Sequence, residues 1–256
     1  LMDNPSATST VICLLAGARW SVGLQKDNAY AYDVVVPLLS RKESHIIERI
    51  AQLLTPFGID PAREDLRIRF TIPRGADEFA TRAFSALGIK GRRTIGINIS
   101  AGHAVRFWGR DNFCSLITLI QQHDRNVTVI VMSTPSQRVD AEDIARGFTK
   151  VFVPPPTHSF DEFAALIARC DMLITPDTSA VHLATAFGVP VLALYVQSNK
   201  NLRIWEPYKA LSEVLVADVD DLRVISPLEV FKAFQRLQRA KLRKVPGKPL
   251  RTASPT

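Results

Sequence analysis

The sequence lacks any long apolar run. None of its 256 residues belongs to an uninterrupted stretch of about 18 apolar residues, the length that a membrane-spanning helix needs. It also lacks a basic segment followed by an apolar core and small residues, the pattern of a secretory signal. We therefore expect neither a membrane-spanning helix nor a secretory signal. Apolar residues still make up 46% of the chain, enough for the core of one large or two modest α/β domains.

Cysteine is scarce. The three cysteines, Cys13, Cys114 and Cys170, lie in apolar or amphipathic segments, without a CxxC spacing or a nearby histidine pattern typical of metal ligands. We expect reduced thiols and no disulfide or zinc site, because such isolated cysteines are usually structural. Reduced thiols in turn predict a cytoplasmic location.

Acidic residues are absent from the end of the chain. Between Arg236 and Thr256 there are seven basic residues and no acidic one, which equals the net charge of +7 of the whole chain. One interpretation is a solvated helix end followed by a tail without regular structure. The alternative is attraction to an anionic membrane surface. Nucleic acid is not an expected partner, because the tail has no aromatic residue to stack on bases.

Strand and helix patterns alternate regularly from Thr94 onward. Short apolar segments typical of buried parallel strands occur at 94–99, 127–132, 151–153, 172–174 and 191–194, with helical segments at about 111–122, 136–146, 160–169 and 178–187. This alternation predicts an α/β fold, with a Rossmann-like, doubly wound parallel sheet and right-handed crossovers.

The rest of the chain divides into two further parts. Residues 1–90 contain a predicted helix at 6–16, short strands at 20–23 and 34–36, and an amphipathic helix at 45–57, which is only part of a second α/β domain. We therefore expect further residues before Leu1. The sheet domain is predicted to span 91–225. Residues 226–256 form a final helix, expected to pack across the first ninety residues, and the basic tail.

Polar residues follow the predicted strand at 172–174. Asp177 or Thr178 can cap the next helix, which Gly188 then ends. Ligands bind at the carboxyl ends of strands in open parallel sheets. Thr178 and His182 share one helix face near its positive end, an arrangement that favours an anion such as a diphosphate.

A second polar cluster follows the strand at 94–99. Ser100 and Gly102 offer a hydroxyl and open backbone amides, and Arg106 offers a planar guanidinium suited to phosphate oxygens. For Trp108 we favour packing over the following helix. For Arg106, ligand binding and a plain surface position remain equally open.

Three segments carry a resemblance to a known family: Ser100-Ala-Gly-His-Ala-Val-Arg106-Phe-Trp108, Asp177-Thr-Ser-Ala-Val-His182-Leu-Ala-Thr-Ala-Phe-Gly188-Val-Pro190 and Trp205-Glu-Pro-Tyr208. In order and spacing they resemble the heptosyltransferases, glycosyltransferase family 9. The resemblance implies a GT-B-like architecture, with residues 1–90 on the acceptor side and 91–225 binding the nucleotide sugar. It also implies inverting, metal-independent transfer of heptose from ADP-heptose to the lipopolysaccharide core.

The resemblance also implies partners and a location. The donor is a nucleotide sugar, the acceptor is the lipopolysaccharide core with its lipid, and no cofactor or metal takes part. The chain would work in the cytoplasm, with peripheral contact to the anionic inner face of the inner membrane. Asp218 and Asp220 match the Asp-x-Asp metal motif of other glycosyltransferases, but a lone short match beyond the sheet predicts no metal site.

By the same resemblance, Arg106 stands where the family often has a lysine that contacts the donor diphosphate. Asp177 would contact the donor sugar, and His182 matches a family histidine. A plain helix cap for Asp177 and a structural role for His182 remain open. The implied donor-binding residues are Ser100, Gly102, Arg106, Asp177, Thr178, Ser179 and His182.

The sequence departs from the family pattern at several positions. Ser179 replaces a glycine, and its side chain limits how closely the backbone can approach phosphate. Gln137 or Arg138 falls where the family has an acidic residue. The general base is an aspartate near the family's N-terminus, so we expect it upstream of Leu1 and assign no catalytic residue here. Two hypotheses follow: a heptosyltransferase-type enzyme, or a nucleotide-sugar-binding module without the base.

Overall fold

The computed structural model describes residues 7–197 and 205–244. They form two compact units. One contains the described residues up to Arg67 together with Trp205 and Glu206, and the other contains the remainder, from Ile68 onward. The division between the units thus differs from the one predicted near residue 90, because residues 68–90 belong to the unit with the large sheet.

The smaller unit contains two short helices and a pair of parallel strands: α1 Ala7–Leu15, β1 Val22–Leu24, β2 Val34–Val36 and α2 Ile46–Ala51. The helix predicted over 45–57 is α-helical only in its first half. Its second half, Gln52–Phe57, is a 3₁₀ helix that contains Pro56 and ends at Gly58, whose φ of 74° is left-handed. Proline lacks the N–H that a continuing α-helix needs, and glycine is suited to a left-handed helix end.

The larger unit is built on a six-stranded parallel sheet in the order β5-β4-β3-β6-β7-β8. Its strands are β3 Thr94–Asn98, β4 Thr128–Met132, β5 Val151–Phe152, β6 Met172–Pro176, β7 Val191–Tyr195 and β8 Ser212–Val216. Every residue of β3, β4, β6 and β7 is buried. This agrees with the uninterrupted apolar runs in the sequence, since parallel strands are covered on both faces.

Six helices accompany this sheet: α3 Arg74–Ala86, α4 Arg110–His123, α5 Arg138–Ala145, α6 Phe160–Ala168, α7 Ser179–Ala186 and α8 Pro227–Lys244. Helix α4 packs against α5 and α8, while α6 packs against α3 and α7. The predicted doubly wound arrangement is therefore present, and the elements predicted between residues 94 and 194 agree with the structure to within two residues at each end. Helix α3 and strand β8 were not predicted.

The final helix belongs to the sheet unit. Helix α8 packs against α4, β7 and β8, so the prediction that it leaves this domain is wrong. Its buried residues Val230, Phe234 and Leu237 join the core formed by α4 and the strands. An amphipathic helix packs where its apolar face can be buried, and α4 provides an apolar surface for the apolar face of α8. The basic tail at 245–256 lies outside the described residues.

Trp108 anchors the loop between β3 and α4. Its side chain is fully buried, its ring packs edge-on against Phe113 of α4 at 5.1 Å, and its indole N–H donates to the carbonyl of Ile225 at 2.8 Å. The predicted packing over the following helix is thus confirmed. The same residue also ties the loop to the segment before α8. Within the described part of the chain, no helix has both the length and the apolar character to cross a bilayer.

Gly96 in the central strand gives a stability test of this packing. A Cβ at this position would lie 2.8 Å from the Cys170 sulfur and 3.2 Å from a Leu173 methyl carbon. We expect Gly96→Ala to lower the free energy of unfolding by about 1–3 kcal/mol, as other overpacked cores do.

The matched control is Gly75→Ala in the first turn of α3, where a Cβ would meet no atom within 4 Å. We expect this change to be neutral or to stabilise by up to about 1 kcal/mol, because it restricts the unfolded chain. Urea unfolding of both variants provides the comparison. Equal stability of the two variants would show that the space around Gly96 is not limiting.

Candidate functional site at the carboxyl edge of the sheet

Strands β3 and β6 are neighbours in the sheet although two strands separate them in sequence. From β3 the chain continues to β4 and β5 on one side, and from β6 it continues to β7 and β8 on the other. The loops after β3 and β6 therefore diverge and leave a crevice at the carboxyl ends of the strands. Open α/β sheets bind their ligands at this point, and both predicted polar clusters lie there.

Asn98, the last residue of β3, connects the two loops. Its side chain is buried, with 2% exposure. The carboxamide oxygen accepts from the Ser100 amide at 3.2 Å, and the carboxamide nitrogen donates to the hydroxyls of Thr175 at 3.0 Å and Thr178 at 3.3 Å. Because buried polar groups are costly unless they are hydrogen-bonded, these contacts hold the β3 loop and the β6 loop in one arrangement.

Thr178 caps helix α7. Its backbone is extended and its hydroxyl accepts from the Ala180 amide at 3.3 Å. Of the two residues predicted as the cap, Thr178 thus has this role. Ser179 is the first residue of α7, so it stands where the first unpaired amides of the helix carry a partial positive charge.

A cleft of about 690 Å³ opens beside these residues. It contains four of the seven predicted donor-binding residues: Ser100, Gly102, Thr178 and Ser179. Ser100 is buried and its hydroxyl accepts from the Thr134 amide at 2.6 Å. This contact joins the loop after β3 to the loop after β4, so Ser100 orders the cleft wall in addition to lining it.

The opposite wall of the cleft was not predicted from the sequence. It comes from the segments after β4 and β5 and includes Thr134, Gln137, His158, Phe160 and Phe163. These segments also follow the carboxyl ends of parallel strands. The same reasoning that singled out Ser100 and Asp177 could therefore have found them, and their hydroxyl-rich sequence at 133–136 was a usable signal.

Arg106 and Asp177 form a pair next to the cleft but are not among the residues that line it. A terminal guanidinium nitrogen of Arg106 lies 3.3 Å from the Asp177 carboxylate and donates to the Asp177 carbonyl oxygen at 3.3 Å. The Arg106 side chain is 34% exposed and that of Asp177 15%. The pair thus holds a cationic group at the crevice, between the two loops, with part of its surface open to solvent.

His182 lies one turn into α7 and is partly buried. Burial lowers the pKa of its imidazole below the ordinary value of 6.5, and the nearby Asp177 carboxylate opposes this shift. Burial dominates because the neutral form loses less hydration than the charged form. The side chain does not line the cleft. At neutral pH its imidazole is therefore uncharged.

This lowered pKa predicts a pH-dependent stability. The unfolded chain takes up a proton on this histidine near pH 6.5, whereas the folded chain does so only at lower pH, so acidification favours unfolding. The stabilising contribution is present above about pH 6.5 and declines below it, by at most about 1.4 kcal/mol per pH unit. Urea unfolding of the wild type and of His182→Gln across this range should show a difference that shrinks as the pH falls.

The exposed His103 provides the matched control, because His103→Gln removes an imidazole without opening buried space. NMR titration of the His182 imidazole offers a direct check. A midpoint at or above 6.5 would contradict the assignment of burial as the dominant effect.

No three histidine, cysteine, aspartate or glutamate side chains in the described part of the chain come together in a way that could hold a metal ion. Asp218 and Asp220 follow the end of β8, beyond the sheet. These observations do not test whether a ligand of the cleft binds together with a metal ion, so metal independence stays a prediction.

Known proteins of one family are similar to this chain. The chain matches glycosyltransferase family 9 (heptosyltransferase) over residues 2–224. It is 29% identical over 129 residues to the lipopolysaccharide core heptosyltransferase OpsX of Haemophilus influenzae, a match that covers 48% of this chain and 35% of that protein. The chain thus spans about a third of the length of this relative.

Solved structures show the same fold. The chain superposes on a family 9 glycosyltransferase from Veillonella parvula with a TM-score of 0.77 and 20% identity, covering 93% of this chain and 72% of that one. For the E. coli heptosyltransferase WaaC with ADP the TM-score is 0.64 and the identity 17%, over 82% and 61% of the two chains. The predicted α/β fold class is confirmed. A match that extends over residues 2–224 shows that the chain belongs to glycosyltransferase family 9.

Proposed function

We propose that the chain is a glycosyltransferase that transfers heptose from ADP-heptose to the lipopolysaccharide core, and that the donor binds at the crevice between β3 and β6. One observation carries the proposal: Arg106, the start of α7 and a hydroxyl-lined cleft converge at the carboxyl edge of the sheet. The membership of family 9 supports the reaction class. The relative OpsX is named as a lipopolysaccharide core heptosyltransferase, and WaaC was solved with ADP.

The diphosphate is expected at the start of α7. The amides of the first helical turn and the hydroxyl of Ser179 can donate to phosphate oxygens there, and the guanidinium of Arg106 can neutralise charge. Gly102, with open space where a Cβ would stand, allows close approach of the loop after β3. The adenosine part fits the cleft wall that contains Phe160 and Phe163, because aromatic faces accept flat heterocycles.

The proposed reaction breaks the bond between the anomeric carbon and the diphosphate oxygen, which leaves with the bonding electrons as ADP. An acceptor hydroxyl attacks the opposite face of the sugar, loses its proton to a general base and inverts the configuration. Arg106 and the α7 amides would stabilise the negative charge that develops on the leaving diphosphate, as preorganised donors do. Asp177 would hold a sugar hydroxyl and thereby orient the anomeric carbon. No residue described here is assigned as the base.

A nucleotide-sugar-binding module without transfer is the second candidate. All the proposed donor-binding residues lie in the sheet unit, so binding of the donor does not by itself require transfer. Both candidates share the nucleotide-sugar donor. The acceptor distinguishes them. The glycosyltransferase would use the lipopolysaccharide core at the inner face of the inner membrane, whereas the binding module would use no acceptor. The basic tail would support contact with that anionic surface.

Arg106→Ala tests the donor site. We expect the wild type to bind ADP with equal affinity in EDTA and in magnesium. The variant should bind about 1–3 kcal/mol more weakly, because it loses a charge-assisted contact with phosphate. Isothermal titration calorimetry measures both effects.

Arg110→Ala is the matched control. Arg110 is four residues along the chain, but its guanidinium pairs with Asp140 and Asp143 and does not line the cleft. Its loss should leave the ADP affinity unchanged. If the two variants bind ADP equally well, Arg106 is not part of the site.

The transfer assay separates the two candidates. Under the first candidate, incubation with ADP-heptose and a lipopolysaccharide core that lacks the heptose releases ADP and extends the acceptor by one heptose, as followed by mass spectrometry. Under the second candidate, neither product forms. Asp177→Asn should reduce transfer more than it weakens ADP binding, because its proposed contact is with the sugar. Tight ADP binding by the wild type without acceptor extension would favour the binding module.

A further inference from the structure

The two edges of the large sheet differ in charge. For β3 to β6, the four segments that lead into the strands (87–93, 124–127, 146–150 and 169–171) contain seven basic and two acidic residues, a net charge of +5. The four segments that leave these strands (99–109, 133–137, 153–159 and 177–178) contain one arginine and one aspartate. Among these loop segments, positive charge is thus concentrated on the amino edge of the sheet, opposite the crevice described above.

A cleft of about 710 Å³ lies on this amino edge. Four basic side chains line it: Lys90, Arg92, Arg93 and Arg169. Its single acidic residue, Asp171, accepts from the Thr94 amide at 2.9 Å and pairs with Lys241 at 3.3 Å. The one acidic side chain of the cleft is therefore already paired with a cation.

Two of the four basic side chains are paired with neighbouring residues, and the other two can contact a ligand. Arg169 donates to Thr81 and to the Asp77 carboxylate, at 2.6 and 2.9 Å, and Arg93 pairs with Asp124 at 2.9 Å. Lys90 and Arg92 are exposed, and their side chains have no hydrogen bond or ion pair with any described residue. Like charges that line one cleft repel one another, so an anion that bridges Lys90 and Arg92 would lower the energy of the folded chain.

We propose that this amino-edge cleft is a binding site for a phosphate group, separate from the donor crevice. A phosphate monoester or diphosphate matches the cleft because it offers several oxygens and close to two negative charges, whereas a carboxylate offers two oxygens and one charge. The guanidinium group of Arg92 can bind two such oxygens at once, and the ammonium group of Lys90 adds a second positive charge. Gly91, with a left-handed φ of 76°, lets the backbone amide approach the anion. This proposed phosphate site does not depend on the proposed transfer of heptose.

The first test uses inorganic pyrophosphate as the probe and the backbone amide signals of Gly91 and Gly102 in NMR spectra. Gly91 reports on the amino-edge cleft and Gly102 on the donor crevice. We expect pyrophosphate to shift the Gly91 signal, with an affinity that falls as salt rises. The variant Lys90→Ala/Arg92→Ala should weaken this response about tenfold or more, because it removes two cationic donors.

Two variants control for this result. Arg106→Ala should leave the Gly91 response intact, which separates the cleft from the donor crevice and from any failure of the proposed function. The charge-matched Lys209→Ala/Lys232→Ala, at exposed positions outside the cleft, should also leave it intact. Arg92→Gln alone provides a milder change whose response should be intermediate. The proposal is overturned if Gly91 does not respond, or responds equally in Lys90→Ala/Arg92→Ala.

A second arm identifies the source of the phosphate. Vesicles of phosphatidylcholine with and without phosphatidic acid, which carries a terminal phosphate, are sedimented with each variant. Binding that requires phosphatidic acid and is lost in Lys90→Ala/Arg92→Ala but kept in Lys209→Ala/Lys232→Ala assigns the cleft to a lipid headgroup. A Gly91 response to pyrophosphate without vesicle binding assigns it to a soluble phosphorylated ligand.

Discussion

The pairing of β3 with β6 is the contact on which the candidate site depends. It places two loops that are about 70 residues apart in sequence at one crevice, and the Asn98 side chain spans them. A slip of one residue in this pairing would turn Asn98 to the other face of the sheet, since side chains alternate along a strand. The register that buries Ile95 and Ile97 in the core is therefore also the register that joins the loops.

Buried polar groups make this arrangement specific. Asn98 and Thr175 lie inside the sheet with almost no exposure, where an unsatisfied carboxamide or hydroxyl would be destabilising. Their partners are each other, the Ser100 backbone and the Thr178 hydroxyl. Both loops must adopt one conformation to satisfy them, so folding of the sheet and formation of the crevice are coupled.

The sequence predicted the central sheet well because each buried strand is a short apolar run and Thr178 and Gly188 mark the ends of α7. It did not reveal α3, although the buried residues Ala76, Ala80, Ala83 and Phe84 recur at helical spacing and were a usable signal. Strand β8 is half-buried and mixes polar with apolar residues. The cleft wall at Phe160 and the Arg106–Asp177 pair depend on which strands are neighbours, which no local pattern contains.

The Arg106–Asp177 pair bears on which ligands the crevice can distinguish. A bare phosphate that approached Arg106 would also meet the Asp177 carboxylate, whose repulsion would offset part of the attraction. A nucleotide sugar presents both chemistries, a phosphate oxygen for the guanidinium and a hydroxyl donor for the carboxylate. Such a ligand satisfies both members of the pair. The amino-edge cleft, whose acidic residue is already engaged by Lys241, lacks this discrimination and suits an anion alone.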